Sequence, residues 1–211
     1  KFGNYILTYL PKKRIYQATK EGDKKLYAVK AVLRKPEFSD QLKELKEEAK
    51  HLERISQYPA LAPYVPHLVE YKPNDDESMD YLVTDWIDGN SNKYYWRSFS
   101  DPHADAIDVV SRVLIALGYL HRLGITHGDI DPSNIIAKPR LDGGYDVKLI
   151  DFNLSRDAES DPALPSLKHK ADATPEQKEG IATDPRSDLY NLGQILYLFY
   201  SGFHGDSGPR S

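Results

Sequence analysis

The sequence predicts an α+β chain in two lobes, a small β-sheet lobe with one helix followed by a mainly helical lobe. Three observations predict it. The first third carries short runs rich in β-branched and aromatic residues around a single amphipathic segment. Asp88-Gly89-Asn90-Ser91-Asn92 then has the chemistry of a turn or linker. Beyond it, apolar residues recur at helical spacing. The boundary is placed after Asp88, giving lobes of residues 1–88 and 89–211.

Tyr5–Leu10 and Arg14–Ala18 are short strand candidates, and Glu21-Gly22-Asp23-Lys24 is a turn leading into the strand Leu26–Val32. A helix is expected from Asp40 to Ser56, because Leu42, Leu45, Ala49, Leu52 and Ile55 recur at spacings of three and four. Two further strands, His67–Lys72 and Tyr81–Ile87, flank the acidic stretch Asn74–Ser78, which lacks the glycine and spaced ligands of a calcium loop and reads as a hairpin tip. In the second lobe a helix is expected from Ala104 to Leu123, with Ile107, Val110, Leu114, Leu117 and Leu120 as its apolar stripe and Gly124 as its stop. Residues 125–151 form a compact region with two short strands around the turn Asp142-Gly143-Gly144. The polar, proline-bearing segment 154–185 is expected to be non-helical, and Ser187–Tyr200 to be a buried helix.

The composition narrows the function. With 211 residues, 40% hydrophobic and 28% charged, the chain is ordinary globular protein. A net charge of −4 provides no basic footprint for nucleic acid or an anionic membrane. No apolar run approaches the ~20 residues of a membrane-spanning helix. The absence of cysteine excludes disulfide and thiolate chemistry, and the default expectation is a cytoplasmic protein. His121 and His127 lack the spacing of a zinc pair, and His127 reads as a buttress of the loop it sits in.

Five local patterns carry chemistry. Lys30 lies inside the apolar strand Tyr27-Ala28-Val29-Lys30; taken alone it reads as an edge-strand lysine, because a lone buried ammonium is costly. Glu48, beside the packed face of the next helix, is positioned to meet it, with Glu44 and Glu47 as competitors. In His127-Gly128-Asp129-Ile130-Asp131-Pro132-Ser133-Asn134, a carboxylate and an amide five positions apart suit a base and a metal ligand. Val147–Ile150 is an apolar strand that ends in Asp151, followed by Phe152-Asn153. Thr174-Pro175-Glu176-Gln177 precedes Ser187-Asp188-Leu189-Tyr190.

In that order these patterns resemble the protein-kinase superfamily, over residues 5–202. Ala28-Val29-Lys30 matches the strand-lysine motif, His127-Gly128-Asp129 with Asn134 the catalytic loop, Asp151-Phe152-Asn153 the metal-binding motif, and Thr174-Pro175-Glu176 the end of the activation segment. The resemblance implies a two-lobed kinase-like fold with an antiparallel small-lobe sheet. It implies ATP and Mg²⁺ as cofactors. Lys30 would neutralise phosphates and be held by Glu48, Asp129 would accept the proton of the attacking hydroxyl, and Asn134 and Asp151 would hold the metal. Thr84 would be the gatekeeper, with the Asp85 carbonyl and the Ile87 N–H meeting the adenine edge. The helix beginning at Asp188 would be the family's central helix, its aspartate fixing the catalytic loop.

The chain departs from the family in several places. Leu7–Tyr16 has no glycine-rich loop; Pro11 removes a donor there, and Lys12, Lys13 and Arg14 read as a solvated basic tip. Asn153 replaces a glycine, Asp131 reverses the charge of a common lysine, and Gly128 replaces the arginine of His-Arg-Asp. The loss of that arginine predicts activity independent of loop phosphorylation. Against the family pattern the large lobe is expected to be incomplete: either the chain is a fragment of a longer protein, or the apolar surface of the 187–200 helix is covered by something else, such as a second chain. The leading expectation is phosphotransfer to serine and threonine hydroxyls of a protein substrate. A pseudokinase that scaffolds a partner and a small-molecule kinase of the aminoglycoside or choline type are the alternatives.

Overall fold

A computed structural model describes residues 3–9, 15–73, 78–91, 97, 99–157 and 173–205. The basic stretch 12–14, the acidic tip 74–77 and most of the segment before Thr174 lie outside the described residues. The chain divides into two compact units, Lys1–Ile87 and Asp88–Ser211.

The first unit is a five-stranded antiparallel sheet in the order β1-β2-β3-β5-β4, with one long helix. Its elements are β1 (Tyr5–Tyr9), β2 (Ile15–Lys20), β3 (Leu26–Leu33), α1 (Ser39–Ser56), β4 (Leu68–Lys72) and β5 (Met79–Asp85). β3 pairs with β2 on one side and β5 on the other, so Lys30 sits in the central strand and not on an edge. The edge-strand expectation fails because it assumed no counter-charge; a nearby carboxylate removes the penalty that would push an ammonium outward.

Register then sorts the two faces of the sheet. Directly opposed residues share a face, so Ala28 and Lys30 of β3 lie with their partners Thr84 and Leu82. The other face gathers Tyr5, Ala18, Tyr27, Val29, Tyr81 and Val83 into a buried cluster, with Tyr5 and Tyr27 meeting edge to face at 5.4 Å. Helix α1 buries Leu45, Ala49, Leu52 and Ile55, along the predicted stripe.

The second unit contains α2 (Pro102–Arg122), β6 (Ile125–Thr126), β7 (Ile135–Pro139), β8 (Tyr145–Leu149), β9 (Arg156–Asp157), α3 (Pro175–Lys178) and α4 (Pro185–Gly205). β7 and β8 form a hairpin, and the short β6 and β9 pair with each other. α2 starts where Asp101 caps it, its carboxylate accepting from the Ala104 N–H at 3.1 Å ahead of Pro102. The helix packs on α4 and β8 through Ala106, Val109, Val113, Ala116, Leu117 and Leu120. Of the predicted stripe, Val110, Leu117 and Leu120 are buried, but Ile107 and Leu114 are 54% and 45% exposed. A helix apolar on most sides offers several stripes, and close helix approach selects the one with small residues. Segment 154–185 also differs from expectation in holding the single-turn helix α3, which Thr174 and Gln177 secure with a capping box. No described helix is long and apolar enough to cross a membrane.

Candidate active site

In the first unit, β3 presents Lys30 to α1. The Lys30 ammonium donates to Glu48 Oε2 at 2.6 Å, with the lysine side chain 23% and the glutamate 7% exposed. Glu48 is the helix carboxylate that reaches the strand; Glu47 instead pairs with Lys50 one turn along. Such a pair is charge-assisted and short, so it holds the ammonium at one place on the sheet face. Thr84 lies two residues from Leu82, the cross-strand partner of Lys30, and shares its face. Asp85 ends β5, its carboxylate meeting the Lys25 ammonium at 2.9 Å and its N–H donating to the His67 carbonyl at 3.0 Å. Two residues on, the Ile87 N–H donates to no described residue.

In the second unit, one buried carboxylate organises the loop after β6. Asp188, near the start of α4, is fully buried. Its Oδ2 accepts from the His127 N–H at 2.9 Å and from His121 Nε2 at 2.8 Å. Its Oδ1 accepts from the Gly128 N–H at 2.8 Å. Gln177 of α3 adds a bond to the Gly128 carbonyl at 3.1 Å. The His127 ring packs against Phe152, centroids 4.8 Å apart, and its Nε2 faces the Ile150 carbonyl, just past β8, at 3.2 Å. Its Nδ1 accepts from the Asp129 N–H at 3.3 Å, which makes Nε2 the protonated nitrogen.

Gly128 has φ +75°, and a Cβ there would stand 2.5 Å from the Leu154 carbonyl oxygen. The sequence comparison with the arginine of His-Arg-Asp therefore has a physical answer: this loop passes too close to the 152–154 turn for any side chain.

The same loop brings the proposed base and amide together. The Asn134 Nδ2 donates to the Asp129 carbonyl at 2.9 Å, and the Ile150 N–H donates to the Asn134 carbonyl at 2.9 Å. The second bond continues the β7–β8 ladder, Ile135 facing Leu149, and so sets Ile150, the residue before Asp151, opposite Asn134. Asp151 itself has a left-handed backbone, φ 68°. Asp129 and Asn134 are 7% and 5% exposed.

The donor set fits a hard divalent cation. With its NH₂ committed to Asp129, Asn134 keeps Oδ1 as an acceptor that no described residue uses. An amide oxygen and a carboxylate carried on adjoining chain segments, with no cage of three or more His, Asp or Glu among the described residues, suit Mg²⁺, which fills its remaining positions with phosphate and water.

Residues 13–205 match the protein kinase domain model. The chain belongs to the protein kinase family. A probable serine/threonine-protein kinase of Clostridium perfringens is 30% identical over 203 residues, covering 92% of this chain and 28% of the relative. Another, from Bifidobacterium longum, is 34% identical over 149 residues, covering 66% of this chain and 21% of the relative. The chain thus spans between a fifth and a third of the length of these curated relatives. A chain in the crystal structure of the yeast RNA polymerase II CTD kinase complex aligns with a TM-score of 0.69 at 20% identity, covering 93% of this chain and 62% of that one. That likeness concerns the fold.

Sequence reasoning missed three of the site's positioning groups. His121 had no signal, since its partner Asp188 is 67 residues away. Gln177 was visible as half of a capping box, but its second bond, to Gly128, was not. Ser155, whose hydroxyl donates to the His127 carbonyl at 3.1 Å, carries no local pattern.

Proposed function

We propose that this chain transfers phosphate from ATP to serine or threonine hydroxyls of a polypeptide. The observation that supports the reading most is the Lys30–Glu48 pair, held at 2.6 Å on a central strand. A buried glutamate that only neutralises a lysine is a poor source of stability; one that fixes an ammonium for phosphate oxygens has a use. The named curated relatives, both serine/threonine kinases, support the same direction.

In this reading Lys30 offsets phosphate charge and Glu48 keeps it oriented. The Asp85 carbonyl and the Ile87 N–H bond the adenine edge, beside the Thr84 gatekeeper. Asp129 accepts the proton of the attacking hydroxyl. Its backbone is held by Asn134 Nδ2 at the carbonyl and His127 Nδ1 at the N–H, so the carboxylate carries little freedom into the reaction. Asn134 and Asp151 hold the metal. When bound, Mg²⁺ neutralises and orients the transferring phosphate. The logic is positioning plus charge neutralisation, which is what phosphoryl transfer asks of a protein.

The test is calorimetric titration of ATP into the protein with and without Mg²⁺, repeated with Asp151→Ala. Binding strengthened by Mg²⁺ and lost with Asp151→Ala is expected, followed by phosphate incorporation into a serine/threonine peptide library. A folded sample that binds no nucleotide defeats the proposal.

A further inference from the structure

The chain reaches Asp129 through a weak joint. Gly128 takes φ +75° where the Leu154 carbonyl leaves no room for a Cβ. A glycine also lets the peptide plane that follows it turn more freely than any other residue would. That plane carries the Gly128 carbonyl at one pole and the Asp129 N–H at the other. Turning it alters the backbone angles on both sides, and with them the direction of the Asp129 side chain.

Two side chains brace the plane. His127 Nδ1 accepts from the Asp129 N–H at 3.3 Å, which is long for such a bond. Gln177 Nε2 donates to the Gly128 carbonyl at 3.1 Å and is the shorter brace. The peptide after Asp129 is held in the same way, by Asn134 Nδ2 on the Asp129 carbonyl at 2.9 Å. A side-chain amide therefore holds the backbone on each side of Asp129.

Asn134 belongs to the same loop, whereas Gln177 comes from α3, 49 residues beyond Gly128. With four residues, α3 is too short to be stable by its own backbone bonds. Its capping box secures it: Gln177 Oε1 accepts from the Thr174 N–H at 3.0 Å, and the Gln177 N–H donates to Thr174 Oγ1 at 3.3 Å. Thr174 is fully buried and Gln177 is 3% exposed. One amide thus closes α3 through its oxygen and braces the plane before Asp129 through its nitrogen. We propose that Gln177 is a positioning residue for Asp129, so that the direction of the carboxylate is conditional on α3 being folded. The inference deepens the phosphotransfer reading, since a fixed carboxylate direction has its use in a base.

Gln177→Glu isolates the tie, because a capping box takes glutamate as well as glutamine while the donor aimed at Gly128 becomes an acceptor. Gln177→Met, uncharged and of similar length, makes the same cut should a buried carboxylate unfold the glutamate variant. In both, kcat for a serine/threonine peptide should fall about 10- to 100-fold, with KM for ATP and peptide within about twofold, the pattern of a misdirected base rather than of lost binding. Thr174→Val, which removes the cap hydroxyl and keeps the volume, should produce a smaller fall of the same kind. Amide exchange supplies a readout that a merely structural role would not move. The Asp129 N–H should exchange about tenfold faster in Gln177→Met, while the Gly128 N–H, held by Asp188, should be unchanged. General destabilisation would speed both together. The proposal is overturned by a wild-type kcat in folded Gln177→Met, by a rise in KM without a fall in kcat, or by equal changes in exchange at the two amides. If the wild-type protein transfers no phosphate, the phosphotransfer reading fails, and the exchange comparison still decides whether Gln177 braces Asp129.

Discussion

Replacing Gly128 by alanine should separate two physical costs that are usually confounded. The first is conformational: an L residue with φ near +75° gives up about 1–2 kcal/mol relative to glycine. The second is steric, since the added Cβ stands 2.5 Å from the Leu154 carbonyl oxygen. That neighbour is backbone and cannot rotate away. Nor can residue 128 retreat, because its N–H is held by Asp188 and its carbonyl by Gln177. Forcing a methyl into a packed site costs about 1–3 kcal/mol, so Gly128→Ala should lose about 2–5 kcal/mol in all. Gly143 supplies the control in the same unit: φ is +94°, and nothing lies within 4 Å of its Cβ position. Gly143→Ala should therefore lose only the conformational part, about 1–2 kcal/mol. Urea unfolding of the three proteins reads both numbers, and equal slopes would show that the unfolded state is unchanged. If Gly128→Ala falls within about 0.5 kcal/mol of Gly143→Ala, the collision is not real and the explanation of His-Gly-Asp fails. Gly128→Arg should be no better than the alanine, because both share the Cβ.

Asp188→Asn should release the loop, since one carboxylate now serves three donors at 2.8 to 2.9 Å. The expected loss is about 3 kcal/mol, with faster hydrogen exchange at the His127 and Gly128 amides, and unchanged exchange would contradict the clamp. Glu48→Gln should lower phosphotransfer about 100-fold, the usual scale for losing one electrostatic contact to a transition state, while a wild-type rate would remove Glu48 from the site. His51 makes a pH prediction. It is 3% exposed, both ring nitrogens lack a partner, and burial holds its imidazole below the ordinary range, with Glu47 opposing only in part. Below about pH 6.5 the unfolded chain binds a proton that the folded chain refuses, so His51 lowers stability as pH falls, by up to about 1.4 kcal/mol per unit. His51→Leu should flatten the urea midpoint between about pH 7 and pH 5; a slope equal to wild type would show that another group is responsible.

Local pattern determined the elements and the chemical inventory. The period-two run around Lys30, the three-and-four spacing of Leu45, Ala49, Leu52 and Ile55, and Asp151 at the end of an apolar strand are each set within about ten residues, where covalent connectivity already places side chains on a face. Lys30, Asp129, Asn134 and Asp151 stood out on that basis, Glu48 only alongside Glu44 and Glu47, and their roles came from the resemblance to the kinase family. What tertiary structure alone decided is which of several local options is used. The α2 sequence offered more than one apolar stripe, and packing on α4 and β8 chose the one lined with Ala106, Val109 and Ala116. Glu47 and Glu48 were equivalent charges until the pitch of α1 over β3 brought one to 2.6 Å from an ammonium. The clamp by Asp188 joins residues 60 and more positions apart, and the glycine at 128 is demanded by a carbonyl at 154. Such contacts depend on distances of a few tenths of an ångström between segments remote in the chain, and periodicity carries no record of them.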